Sequence, residues 1–506
     1  MNYPVWELGF GAGFLIALVA VLHVFVSHFA IGGGFFLTLT EYYAIRKNDS
    51  GILNYVKLHS RFFALLTLVF GAITGVGIWF TIGLISPAAT SSLIHNFVWV
   101  WALEWIFFLV EVAAAIVYYS TWDRVSQKTH FIVGWIYFIS AFMSLVIING
   151  ILTFMLTPEN WLRTGNIFEG FFNPTFLPSL FTRIAFCVAL AGFYALLTGS
   201  FIKEKLTKYR LFRYSGLWGL FGIILAIPSL LFYYKYLPLD VNELLEGALP
   251  TSLTSVNVLY IGAAILVVLV LIPVFVPKFF KAGIAVVLLL AALMSFGASE
   301  FIRESVRKPW VIYGYMYGNS LRPDEYNSIK TNGGLLKTAN FVKNRDAVSS
   351  PEAGEDVFRV ACRGCHSLGG YKGLKKPLSG LDKKFINDTI NRLEHLRGKM
   401  PPFPGTEIEA EALAEFLYSK TDTDFKISTG EQVFRKRCSI CHTVDKEFRG
   451  LYPLMEDYTQ EDLLERILTI GEYVDQMVPW SGTQEEAEML TDYILSWYSD
   501  IEKGGN

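Results

Sequence analysis

The sequence predicts an all-α protein: a polytopic membrane helix bundle of about eight spans followed by two small all-α domains. Three observations predict it. Of 506 residues, 53% are hydrophobic and 15% aromatic, and the mean hydropathy is +0.39, too apolar for an ordinary soluble chain. Apolar runs able to cross a bilayer, about 20 residues each, all precede the charged stretch Ser299 to Trp310 (SEFIRESVRKPW). Beyond it a polar unit of about 77 residues occurs twice. The balance of 43 basic against 45 acidic residues gives no argument for nucleic acid as a partner. Membrane lipid is the partner that composition requires.

In chain order the expected spans are 12–44, 62–86, 97–120, 131–156, 178–202, 214–236, 256–276 and 280–302. The first span has no positively charged n-region or small-residue cleavage site before it, so it reads as a retained helix. Basic residues crowd alternate connections: Arg46, Lys47, Lys57 and Arg61, then Arg124 and Lys128, then Lys203 to Arg213, then Lys278 and Lys281. Arg163 and Lys235 are the exceptions. The basic connections are therefore cytoplasmic, and the N-terminus and, after an even number of spans, the C-terminal half lie outside.

Ionisable groups within spans cost about 2.5 to 3.5 kcal/mol each on insertion scales, so each is a site candidate. They are His23 and His28 on the first span, Glu104 and Glu111 on the third, and Glu304 at the end of the eighth. At 1.5 Å per residue, His23, Glu104 and Glu304 share the outer half of the bilayer. Imidazole ligates haem iron, and carboxylates ligate it, hold propionates or deliver protons. Glu300 and Glu304 lie on one helix face with Arg303 and Arg307 beside them, a pattern also given by a charged helix end reaching for the interface. Glu41 reads as an interfacial charge or an inner-side proton site. His59, His95 and His130 read as structural residues at helix ends near water, and Cys187 as core.

In the polar half, residues 311–350 read as a linker with a turn signal at Asn332-Gly333-Gly334. Then Gly354-Glu-x-Val-Phe-Arg-x-x-Cys362-x-x-Cys365-His366 recurs as Gly430-Glu-x-Val-Phe-Arg-x-x-Cys438-x-x-Cys441-His442. C-x-x-C-H is the spacing of covalent haem c attachment. Downstream, Met400-Pro-Pro-Phe-Pro-Gly-Thr corresponds to Met477-Val-Pro-Trp-Ser-Gly-Thr. Each Met can reach the iron face opposite its His, and His/Met ligation raises the potential. Met455 and His395 are the rival ligands. Each copy, 351–423 and 424–506, resembles a small class I cytochrome c domain, and covalent haem c is assembled on the outer side of bacterial-type membranes, which agrees with the topology.

The membrane half, 1–310, resembles subunit I of the cytochrome bd quinol oxidases. That family's first helix carries a haem-ligating His, a glycine-containing apolar stretch and, 18 residues after the His, a Glu; His23, Ile31 to Gly34 and Glu41 match. Its third helix ends in W-D-R with an acid eleven residues before, as do Trp122, Asp123, Arg124 and Glu111. Its late G-R-Q-P-W motif follows a haem-ligating Glu, as Arg307, Lys308, Pro309 and Trp310 follow Glu304. Three departures accompany these matches: Glu104 lies seven residues before Glu111 where the family has eight, the His and Met of the family's low-spin haem b have no counterparts on the fifth and seventh spans, and the quinol loop is reduced to Leu237 to Ser255.

The resemblance implies a respiratory oxidoreductase of the bacterial-type cell membrane. Two c haems outside would pass electrons from a periplasmic cytochrome c or a respiratory complex to about two non-covalent haems, haem b with haem d as a candidate, which reduce oxygen. His23 and Glu304 would bind iron, Arg307 and Trp310 the haem, and Glu104 and Glu111 would serve haem binding or proton delivery. Nitric oxide reduction, and a quinol dehydrogenase sending electrons outward, are the alternatives; a second membrane subunit or a homodimer is compatible with either.

Overall fold

A computed structural model describes residues 6–502 apart from 247–249, 346–349, 397–399, 423, 444–449 and 456–457. Eight of its helices are long and apolar enough to cross a membrane: Ala12–Arg46, Ser50–Ile85, Val98–Ser120, Gln127–Phe154, Phe176–Gly199, Lys205–Lys235, Thr254–Phe275 and Ala282–Val306. The second begins at Ser50 rather than 62 and the sixth at Lys205 rather than 214. Both early starts are capped. Asp49 accepts from the Ile52 amide at 3.1 Å, and Glu204 from the Leu206 and Thr207 amides at 2.7 and 2.6 Å. Caps satisfy the orphan donors of a first turn, so each helix is established before its apolar run begins.

Small residues bring the spans together, as they must where lipid gives no hydrophobic force between helices. On the first span a Cβ at Gly32 would lie 1.9 Å from the Cys187 carbonyl of the fifth, and one at Gly222 would lie 2.4 Å from the Ala189 amide nitrogen. Cys187 is core, as expected. Between these close approaches sit Phe25, Phe29 and Phe36 of the first span, packed with Phe63, Tyr194 and Phe296 from three others.

The stretch 311–350, expected as a polar linker with turn signals, carries regular structure among its described residues. Trp310–Ile312 pairs antiparallel with Met316–Tyr317, and helices Pro323–Thr331 and Leu335–Thr338 follow. Leu321, Tyr326, Ile329, Leu335 and Leu336 are buried in one cluster with Val357, Phe358 and Leu413 of the first repeat. Glu409, fully buried, fastens them: its carboxylate accepts from the Leu335, Leu336 and Thr406 amides at 3.0, 2.8 and 2.9 Å. Polar composition and turn signals suggested a tether because the apolar residues are scattered between them.

Each repeat opens on a glycine for a steric reason. Gly354 in helix Pro351–Ala361 crosses helix Glu407–Ser419 so closely that a Cβ would lie 2.0 Å from the Ala412 carbonyl. Gly430 meets the Met489 carbonyl of helix Gln484–Glu502 at the same 2.0 Å. The duplicated crossing is the scaffold of both domains.

Candidate functional site

On the first span, the His23 Nδ1 donates to the Gly71 carbonyl at 3.1 Å, with the Thr74 hydroxyl at 3.2 Å. Gly71 closes a π-helical turn, Leu66–Gly71, inside the second span, and such turns concentrate at functional sites. The bond fixes the tautomer and leaves Nε2, which has no protein partner among the described residues, with a lone pair for a metal. His28 is built alike but buried. Its Nδ1 donates to the Val24 carbonyl at 2.6 Å, its ring lies against Phe296 at 5.3 Å, and its Nε2 is unpartnered. Close to it, Arg183 of the fifth span lies 3.8 Å from Glu300, which also pairs with Arg303 at 2.9 Å.

Glu104 and Glu111 occupy one face of the third span, seven residues apart, and both turn to the fourth. The Ser144 hydroxyl donates to Glu104 at 2.7 Å and the Tyr137 hydroxyl to Glu111 at 3.2 Å. Toward the C-terminal end of the first span, Glu41 is buried and not the interfacial charge that was one of its two readings. It accepts from the Tyr118 hydroxyl at 2.8 Å and meets His130 Nδ1 at 2.8 Å, while His130 Nε2 donates to the Tyr118 carbonyl at 2.9 Å. Both His130 nitrogens face acceptors, so the Glu41–His130 pair holds a proton between them. His59 is likewise buried rather than near water, with Nδ1 on the Thr198 hydroxyl at 2.9 Å. His95 alone of the three stays near solvent, bonded within its own helix to the Ser91 carbonyl at 2.7 Å.

At the C-terminal end of the eighth span Glu304 is paired by both oxygens, to Arg307 at 2.5 Å and Lys308 at 2.8 Å. Arg307 is buried with Nε and Nη1 unpartnered. Trp310 stacks on Tyr317 with ring centroids 4.1 Å apart and planes at 13°. Burial works against the Lys308 ammonium, but Glu304 outweighs it and holds Lys308 above its ordinary range. Lys372 of the first repeat is lowered by burial and then by Lys308.

Both C-x-x-C-H segments form the same turn. The Cys365 and His366 amides donate to the Cys362 carbonyl at 3.1 and 2.9 Å, and the Cys441 and His442 amides to the Cys438 carbonyl at 3.0 and 2.9 Å. The turn sets the two sulfurs and the imidazole of each copy on a fixed frame. His366 Nδ1 donates to the Lys372 carbonyl at 3.2 Å, which leaves Nε2 for the iron, and burial holds the ring below its usual range. Burial also pushes the Cys362 and Cys438 thiols up to about 12. Met400 and Met477 are half-buried after their turns, whereas Met455 is packed in the second domain's core beside Leu463. His395 lies at the contact between the repeats, its carbonyl 3.8 Å from Cys441 Sγ.

Residues 12–234 match the family model of the cytochrome bd terminal oxidase subunit I, and residues 349–417 and 425–494 each match that of the cbb3-type cytochrome c oxidase subunit III. The membrane half is of the cytochrome bd subunit I type, and the C-terminal half is a pair of cytochrome c domains. A solved structure, the bd oxidase from Geobacillus thermodenitrificans, has the same fold at 18% identity and a TM-score of 0.51, over 61% of this chain and 90% of that one. No curated protein matches.

The cytochrome c domains imply covalent haem c, and the bd-type half implies haem b or d. The residues fit both. Each attachment turn offers two thiols and an imidazole. In the bd-type half, His23 and His28 offer imidazole nitrogens, and the unpartnered donors of Arg307 and Arg183 suit propionate carboxylates. His23, the Glu104–Glu111 pair and Glu304 make no direct hydrogen bond to one another among the described residues. Arg183, Tyr137 and Ser144 escaped the sequence reading; a lone Arg in the apolar fifth span was the one available signal.

Proposed function

We propose that the protein is a bd-type terminal oxidase that takes electrons from a periplasmic c-type donor instead of quinol. The observation that carries this reading is the seating of the first attachment turn on the end of the eighth span: a Cβ on Gly318 would lie 3.1 Å from Cys365 Sγ, with the Lys308 ammonium, itself bonded to Glu304, at 3.8 Å. The covalent haems supply one-electron carriers, and the membrane haems supply the site at which oxygen is reduced.

The chain's own residues divide the remaining work. Cys362, Cys365 and His366 hold one c haem with Met400, and Cys438, Cys441 and His442 the other with Met477. His23 presents Nε2 to iron; Glu304 keeps the ligand role that the family gives it, with Arg307 and Lys308 balancing its charge; Trp310 closes the site. Glu104 with Ser144, and Glu111 with Tyr137, hold protons, and the Glu41–His130 pair holds one nearer the inner side. About two non-covalent haems are assigned. That number rests on the missing His and Met of the fifth and seventh spans. The N-terminus and both cytochrome c domains face the periplasm.

Oxygen uptake by the purified protein tests the reading, with a reduced small c-type cytochrome and a quinol analogue as rival donors. Uptake with the cytochrome and none with the quinol is expected. Uptake with quinol alone removes the donor assignment. Quinol-driven reduction of the c haems without oxygen uptake reverses the direction of flow.

A further inference from the structure

The two cytochrome c domains relate to the membrane half in different ways, and the difference gives them an order. The first is clamped. Glu7, ahead of the first span, pairs with Arg359 at 2.5 Å and Arg363 at 2.6 Å. The Tyr371 amide donates to the Phe10 carbonyl at 2.8 Å, and Gly11, at φ +100°, passes so close to Tyr371 that a Cβ would meet its carbonyl oxygen at 2.9 Å. On the opposite side of the attachment turn, a Cβ on Gly364 would lie 3.2 Å from the Gly318 carbonyl. Gly318 itself donates to the Pro309 carbonyl at 2.8 Å. It follows Tyr317, which stacks on Trp310, and the Trp310 amide donates to the Arg307 carbonyl at 3.0 Å.

The second domain reaches the first, and no hydrogen bond or ion pair joins it to the membrane half among the described residues. Arg437 pairs with Asp382 at 3.3 Å, Arg392 donates to the Asp475 carbonyl at 3.0 Å, and Cys441 Sγ faces the His395 carbonyl. Both cysteines nearest a neighbour, Cys365 and Cys441, are the second of their pair, and each points its turn toward the next body inward.

Resting on the reading above, we propose that the first domain is a fixed bridge and the second is the electron-receiving domain. Electrons pass from the second attachment turn to the first, and from there across the Gly318 contact and the Trp310–Tyr317 stack to the end of the eighth span. Gly318, Gly11 and Glu7 are positioning residues for that bridge. The two glycines admit a close contact that a bulky side chain would wedge open.

Anaerobic stopped-flow with a reduced small c-type cytochrome as probe, on the full chain with its haems, tests the order without using oxygen chemistry. In Cys438→Ala/Cys441→Ala, reduction of the remaining c haem by the protein probe should be lost while dithionite still reduces it. In Cys362→Ala/Cys365→Ala, the probe should reduce the second c haem at the native rate and the membrane haems not at all. Gly318→Leu keeps both attachment turns: both c haems should reduce normally, membrane haem reduction should lose its fast phase, and amide hydrogen exchange at 308–319 and 359–371 should rise. Native exchange and a native fast phase in Gly318→Leu overturn the bridge, and direct reduction of the first domain in the variant lacking the second haem overturns the order. Should electrons reach the membrane haems as described while oxygen uptake is absent, the order stands and the oxidase reading fails.

Discussion

The first and second cytochrome c domains share a fold and a repeat, yet they solve the same stability problem with different residues. Glu409 and Glu486 are the equivalent third residues of their helices. In the first domain Glu409 accepts three backbone amides and binds the segment 334–336 as a lid. In the second, no such segment is found among the described residues; Glu486 pairs instead with buried Arg437 at 3.0 Å, whose guanidinium lies 5.2 Å from the Trp480 ring and reaches across to Asp382 of the first domain. The cores differ accordingly, with 20 buried apolar side chains in the cluster of the first against 8 in that of the second, among the described residues. A small domain buries a small fraction of its surface, so the first borrows a piece of connecting chain and the second leans on its sibling. Dependence therefore runs one way: the second domain needs the first more than the first needs the second.

Breaking each fastening should make this asymmetry measurable. The largest effect is expected from Glu409→Ala, which strands three buried amides and should cost the first domain about 3 kcal/mol or more, releasing 321–339 to protease while the second domain's haem spectrum survives. Arg437→Ala should cost about 1 to 3 kcal/mol by leaving half-buried Glu486 without its partner, and unfolding monitored at the second c haem should shift while that at the first does not. An equal shift in both would erase the distinction between them.

Ligand substitutions sharpen it further. Met400→Ala and Met477→Ala should each lower the potential of one c haem and leave the other unchanged in a redox titration; movement of both would mean that the domains do not carry separate ligand sets. The smallest effect is electrostatic. Residues 424–506 contain 17 acidic and 8 basic side chains, against 11 and 11 in 351–423. An acidic outer domain steers a basic donor through long-range attraction, so the bimolecular rate of reduction by a basic cytochrome should fall as salt rises, and a flat profile would remove that role.

How much of this was legible in the sequence depended on the range of the interaction. The eight spans were readable because a bilayer demands an unbroken apolar run, and the c domains because C-x-x-C-H is local chemistry written within five residues. Glu41 and His130 were misplaced because their pairing joins positions 89 residues apart, and nothing near either residue announces the other. The lid at 321–339 was read as a tether for a related reason: its burial depends on Glu409, which lies over 70 residues further on. Arg183 was visible as an oddity but not as the partner of Glu300. Among the candidate site residues, residue type and the span that carries each were legible; which nitrogen or oxygen is engaged was not.

The salt bridge from Glu7 to Arg359 joins residues 352 apart, and this has a meaning for biosynthesis. At roughly 5 to 20 residues per second, the N-terminal strap waits on the order of 20 to 70 s for the domain it will grip. During that interval eight helices insert, and the first c domain must be delivered to the same face before the strap has anything to hold. The segment around Glu7, Phe10 and Gly11 is thus made before the eight helices and fastened only after them, closing the assembly as a latch that the first cytochrome c domain sets.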